Sequence, residues 1–240
     1  IRQRRRQAEE HLAFAGALAD GIIHDLRNPL SSLRLDVQML AREAERGADA
    51  RPERMAELAG RALRTMERED AVLREFLYVA KPDGRDMATI DFNACVRESI
   101  DLLAARFEKD ATPIAVELAS AALPVTVYPV SLKRAVVNVL TNAREATAGK
   151  GTVKIATRAE HGMAVLCVDD DGPGIEPSER ERIFEMFYTT RPEGTGLGLS
   201  LARTAVMKSG GTITAGVGDL RGARITIMLP LAGPVVAGES

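Results

Sequence analysis

The 240 residues include only two cysteines, Cys95 and Cys167, and neither has a motif partner. That excludes a disulfide framework and fits a reducing cytosol. No apolar run approaches the roughly 18 residues of a transmembrane helix, and no signal-peptide pattern is present. The reading is therefore cytoplasmic, with no membrane contact in this stretch. Charge of one sign is also scarce. With 32 Lys and Arg against 34 Asp and Glu, the net charge of −2 gives no sign of nucleic-acid binding. An initiator methionine is missing too, so the chain is read as a fragment of a longer protein. What remains is a soluble, 45% hydrophobic sequence long enough for two ordinary domains.

The pattern divides at about residues 80–88. Before it, two long helical stripes flank Gly47-Ala48-Asp49-Ala50-Arg51-Pro52. The first is Ile22, Leu26, Leu30, Leu33, Val37 and Leu40. The second carries Met55, Leu58, Ala62, Met66, Leu73 and Phe76. Two such helices joined by a short loop form an antiparallel hairpin. One hairpin cannot bury both stripes, so a second copy completing a four-helix bundle is expected. Beyond the linker at Ala80–Asp86, a helix is expected from about Phe92. Strands are expected near Ile114–Leu118, Val125–Tyr128, Thr152–Ala159, Gly162–Val168, Gly211–Gly216 and Gly222–Leu229. The expected boundaries are residues 1–13 as the end of an upstream helix, 14–80 the hairpin, 81–90 a linker, 91–232 an α/β domain and 233–240 a tail.

Chemistry concentrates in the second part. Gly194-Thr195-Gly196-Leu197-Gly198-Leu199-Ser200 places three alternate glycines before a helical pattern, Leu201 to Lys208. A helix start offers unpaired N–H groups and a positive dipole end, and glycine lets the backbone approach a ligand. The combination suits a phosphate cradle, or a plain flexible turn. The spacing is neither GxxxxGK[ST] nor GxGxxG. About 25 residues earlier, Asp170-Asp171-Gly172-Pro173-Gly174-Ile175 follows an apolar strand-length run. A carboxylate at a strand end only accepts hydrogen bonds, so its natural target is a donor such as the adenine amino group; a simple Asp-Gly, Pro-Gly turn is the other reading. Upstream, in the apolar helix from Leu132 to Ala146, Asn138 and Asn142 stand at i and i+4 on one face. Their amide oxygens could serve Mg²⁺, which arrives with phosphates and its own waters, or the two could be satisfied buried asparagines. Between the acid and the glycines, Ile183 to Glu193 holds aromatics that could anchor a loop. Its Arg191 could fork onto a phosphate or be solvated.

These four motifs, in this order over residues 132–200, resemble the N, G1, F and G2 boxes of the ATP-binding domain shared by sensor histidine kinases, gyrase-type ATPases, Hsp90 and MutL. The resemblance implies a Bergerat-type α/β sandwich holding ATP and Mg²⁺. It assigns nucleotide binding to Asn138, Asn142, Asp170, Gly172, Gly174, Arg191, Thr195, Gly196, Leu197 and Gly198. Asn142 is the expected Mg²⁺ ligand, with Asn138 a second candidate. Gyrase-type ATPases carry a glutamate base where this chain has Asn138. An amide cannot take that proton, so the site looks built to hold ATP and deliver its γ-phosphoryl elsewhere.

The acceptor candidate is in His24-Asp25-Leu26-Arg27-Asn28-Pro29-Leu30, which resembles the histidine-kinase H box. At about 100° per residue the apolar stripe covers roughly 80° of the helical wheel, and His24 lies roughly 160° from its middle. Asn28 shares that outward side one turn later. The Asp25 carboxylate can fix the imidazole tautomer and accept its proton. His11 and His161 have no such setting. The resemblance, over roughly residues 14–232, implies a homodimeric two-component sensor kinase. It would autophosphorylate on His24, pass the phosphoryl to a response-regulator aspartate, and use Asn28 in dephosphorylating that regulator. Sensory domains, often with membrane anchors, stand upstream in such proteins. A gyrase- or Hsp90-like ATPase and a non-catalytic signalling scaffold are the alternatives.

Overall fold

The structure is a computed structural model that describes residues 29–80, 87–147, 151–191 and 194–233. The chain forms two compact units, divided between Pro82 and Asp83.

In the first unit, residues 29–44 are helical (α1) and Pro52–Ala80 form α2. Proline suits the first helical position, where its missing N–H would have no partner anyway. The connection contains a short 3₁₀ turn, Gly47–Asp49. Glu43, at the end of α1, closes it. Its nearly buried carboxylate accepts from the Arg51 backbone N–H at 3.0 Å, Arg51 Nε at 3.1 Å and Arg46 Nη1 at 3.3 Å. These charge-assisted bonds, led by the Arg51 side chain, hold the Glu43 pKa down at about 2. Because the folded pKa lies below the unfolded one, the contribution is complete above about pH 4.5 and is lost as pH falls towards 2. Glu43→Ala should therefore lower the helical melting temperature at neutral pH. The gap from the parent chain should close on acidification to about pH 2, as read by circular dichroism. A gap independent of pH would disprove this role.

Leu58 and Ala62 are buried in this unit, and Asp36 pairs with Arg61. Much of both apolar stripes stays open. Leu30 (51%) and Val37 (50%), expected on the core side of α1, are half exposed, as are Met66 (54%) and Leu73 (41%) on α2. One pair of helices covers only one flank of each stripe.

The second unit is a two-layer sandwich. Its main sheet has the order β2-β4-β5-β7-β6, formed by Ile114–Glu117, Val153–Glu160, Met163–Asp170, Ala223–Pro230 and Thr212–Val217. β2 pairs parallel with β4, and the other neighbours are antiparallel. A small second sheet pairs β1 (Ala88–Asp91) with β3 (Pro124–Val127). The sequence pattern did not reveal β1, whose four residues include a single large apolar side chain, Ile90.

Helices α3 (Phe92–Lys109), α4 (Pro129–Ala146) and α5 (Gly198–Lys208) complete the sandwich. Asp91 caps α3 by accepting from Asn93 N–H at 3.1 Å, which satisfies one of the free donors of its first turn. The core joins Val136, Val139 and Leu140 of α4 to Ile155, Leu166, Val168, Ile225 and Ile227 of the sheet. Fully burying each such side chain contributes about 1.5–3 kcal/mol. Strand residues alternate faces, so Leu166, Val168 and Asp170 share the core-facing side of β5, and Asp169 takes the opposite side. Apart from Met163, every residue of β5 is buried, as befits the central strand. Among the described residues, no helix is long and apolar enough to cross a membrane.

Candidate functional site

The end of β5 is the fixed point of the site. Asp170 is its last residue, 2% exposed. Its Oδ1 accepts from Gly172 N–H at 2.9 Å and from Ala223 N–H at 3.2 Å. Oδ2 accepts nothing from the described residues. Burial pushes the Asp170 pKa up, against the pull of those two N–H groups. The result is an oriented acceptor with one lone-pair edge free. Gly222, just before Ala223, presses against it: a Cβ there would come within 2.2 Å of the Asp170 carbonyl oxygen and 2.7 Å of Gly172 N. Only glycine permits that approach.

Helix α4 brings Asn138 and Asn142 to the same end of the unit. Gly172 lies against the last turn of α4, where an added Cβ would stand 2.8 Å from the Ala146 carbonyl oxygen. Asn138 Nδ2 donates to the Gly198 carbonyl at 2.9 Å, tying α4 to the first residue of α5. Its Oδ1 remains an acceptor. The Asn142 amide makes no hydrogen bond among the described residues. These are two neutral oxygen donors, and no cluster of three or more His, Cys, Asp or Glu side chains that could hold a metal occurs among the described residues. Such a donor set fits Mg²⁺ that brings phosphate oxygens and water as its remaining ligands, and does not fit a metal caged wholly by protein.

Helix α5 begins at Gly198, three residues earlier than the apolar pattern indicates, and no side chain caps it. Its free N–H groups and positive dipole end thus stand beside Asn138. Gly196 has φ +68°, and a Cβ there would fall 2.3 Å from the Phe187 carbonyl carbon. The Gly196 carbonyl accepts from Phe187 N–H at 3.0 Å, which locks the glycine run against the aromatic loop. Thr195 Oγ1 accepts from Leu197 N–H at 3.3 Å. The aromatics act as anchors: Phe184 is buried, Tyr188 donates to Glu179 at 2.6 Å, and the Arg182 guanidinium covers the Tyr188 ring at 4.7 Å. Arg191 points at the end of α4, where it pairs with Glu145 and donates to the Asn142 carbonyl at 3.2 Å.

The fold thus draws four separate sequence segments to one end of the sheet, through Asp170 and Gly172, Asn138 and Asn142, Arg191, and Gly196 to Gly198. Gly174 follows with φ +78°. Sequence reasoning missed Gly222 and Ala223, whose part is played by the backbone. The only signal was a glycine at the head of the last strand. His24, Asp25 and Asn28 lie outside the described residues.

Two family models match the chain. A His Kinase A (phospho-acceptor) domain covers residues 15–85, and a histidine kinase-, DNA gyrase B- and HSP90-like ATPase domain covers residues 128–233. The sensor histidine kinase ZraS of Escherichia coli O157:H7 is 32% identical over 228 residues, covering 93% of this chain and 48% of ZraS. The nucleotide-free catalytic domain of histidine kinase ThkA is 28% identical with a TM-score of 0.57, covering 61% of this chain and 97% of that domain. ThkA crystallised with the response regulator protein TrrA has a TM-score of 0.73 at 22% identity, covering 96% of this chain and 66% of ThkA, a likeness of fold. The α/β unit is an ATP-binding domain of the histidine kinase type. The chain belongs to the sensor histidine kinases of two-component systems, and it spans about half the length of ZraS.

Proposed function

We propose that this chain is the kinase core of a two-component sensor: it binds ATP with Mg²⁺, phosphorylates itself on His24 and passes the phosphoryl to an aspartate of a response-regulator receiver domain. The observation that carries the reading is Asp170, a buried carboxylate with one oxygen held by two backbone N–H groups and the other left to accept. That edge is complementary to the adenine amino group. The uncapped start of α5 and the glycines before it would hold the phosphates, and the amide oxygens of Asn142 and Asn138 would hold Mg²⁺. Bound Mg²⁺ supplies charge neutralisation at the β- and γ-phosphates.

Residues 14–80 serve as the dimerisation and phosphotransfer domain, 81–90 as the linker and 91–232 as the catalytic domain. The open apolar flanks of α1 and α2 suit a second hairpin, completing a homodimeric four-helix bundle. His24 attacks the γ-phosphorus of ATP through its unprotonated ring nitrogen; the bond from that phosphorus to the bridging β-phosphate oxygen breaks, ADP leaves, and Asp25 takes the proton from the other ring nitrogen. Asn28 orients water towards the regulator's aspartyl phosphate. These residues are placed in the cytoplasm.

The ATPase alternative is disfavoured by Asn138, whose Nδ2 is committed as a donor to Gly198 and cannot act as a base. The deciding experiment incubates the chain with γ-labelled ATP and Mg²⁺ and maps the label. Acid-labile, base-stable phosphate on His24 supports the kinase. Steady phosphate release without phosphoprotein supports the ATPase, and failure to bind ATP supports a scaffold.

Asn142→Ala should weaken Mg²⁺-dependent ATP binding and phosphorylation more than binding in EDTA. The motive is its amide, which has no hydrogen-bond partner among the described residues, on the face of α4 shared with Asn138. Equal loss under both conditions would make Asn142 structural.

A further inference from the structure

Two consecutive carboxylates, Asp169 and Asp170, end β5, and the pleat separates them. Asp170 faces the core side and the proposed nucleotide. Asp169, only 1% exposed, faces away, where Arg224 stands directly across from it on β7. The guanidinium grips Asp169 with two bonds, Nε to Oδ1 at 2.6 Å and Nη2 to Oδ2 at 2.8 Å, and reaches Asp219 in the β6–β7 turn at 2.8 Å. The same turn packs on Asp169, since a Cβ on Gly218 would come within 2.5 Å of Asp169 Oδ1. Residues 218–224 therefore wrap both faces of the strand end. On one side they hold Asp169 through the ion pair. On the other they supply Gly222 and the Ala223 N–H that orients Asp170.

We propose that Asp169 and Arg224 are positioning residues for adenine recognition: their cross-strand pair holds the β6–β7 turn in the place from which Ala223 aims the Asp170 carboxylate. A forked, charge-assisted pair fixes geometry in two directions, and removing one partner strands a buried charge. Neither side chain lies on the nucleotide side of the sheet, so their effect is confined to the adenine end. The inference rests on the ATP-binding reading above.

The test uses the full 240-residue chain, its melting temperature measured alongside. Arg224→Met should weaken ATP binding about tenfold, equal to about 1.4 kcal/mol. Affinity for inorganic tripolyphosphate should stay within about twofold, and KM for ATP should rise while kcat for self-phosphorylation is kept. Asp169→Asn/Arg224→Gln restores a neutral cross-strand hydrogen bond in a form less prone to misfold. It should bind ATP more tightly than Arg224→Met. ATP affinity unchanged in Arg224→Met, equal weakening towards tripolyphosphate, or a double variant no tighter than the single would overturn the proposal. Failure of the unmutated chain to prefer ATP over tripolyphosphate would instead overturn the adenine assignment itself.

Discussion

His24→Gln is expected to abolish phosphorylation of the chain while leaving ATP affinity nearly unchanged. Glutamine keeps a polar side chain of similar reach but has no nucleophilic nitrogen, because its amide lone pair is delocalised into the carbonyl. The proposed nucleotide residues begin at Asn138, more than 100 residues later in the chain and in the other compact unit. The measurement pairs a labelling assay with nucleotide titration. Residual label on any other residue of the variant would show that His24 is not the acceptor. Loss of ATP binding together with the label would show that the two functions are not separable.

The second large effect is expected at Asp170. In Asp170→Asn, the carbonyl oxygen can still accept from Gly172 and Ala223, which leaves the NH₂ where the free Oδ2 stood. A donor then faces the adenine amino group. Loss of a hydrogen bond to a charged group costs about 1.5–3 kcal/mol, so ATP should bind roughly ten- to a hundred-fold more weakly. Stability should not fall in parallel. Burial raises the Asp170 pKa in the folded chain, so the ionised form opposes folding as pH rises through that value. The neutral amide removes that opposition. For the same reason, ATP binding by the parent chain should fail on acidification at a higher pH than an ordinary aspartate would set. Calorimetry with ATP and thermal melts would check both. Unchanged affinity, or affinity and melting temperature falling together, would remove Asp170 from adenine recognition.

Much of this site was legible because its signals are local. An acid after an apolar run marks a strand end, two asparagines four apart share a helix face, and alternate glycines before a helical pattern mark a ligand-accessible helix start. These follow from backbone periodicities that any neighbouring residues preserve. The two hairpin helices and six strands of the α/β unit were legible for the same reason. β1 was not, since Ile90 is its single large apolar residue and one such residue carries no period. Its existence depends on β3 offering an edge.

The sequence by itself determined which residue types are present at which local spacing: the His24-Asp25 pair, the Asn138–Asn142 face, the acid cluster at 169–171 and the glycines at 194–198. The tertiary structure decided which of them meet, and how. Side-chain alternation and the antiparallel register sent Asp169 to Arg224 and Asp170 to the backbone of Gly172 and Ala223. The end of α4 drew Arg191 to Glu145 and the Asn142 carbonyl, where the sequence offered only an arginine in a loop. Backbone donors and cross-strand partners are set by distances between segments far apart in the chain. No spacing within one segment encodes them.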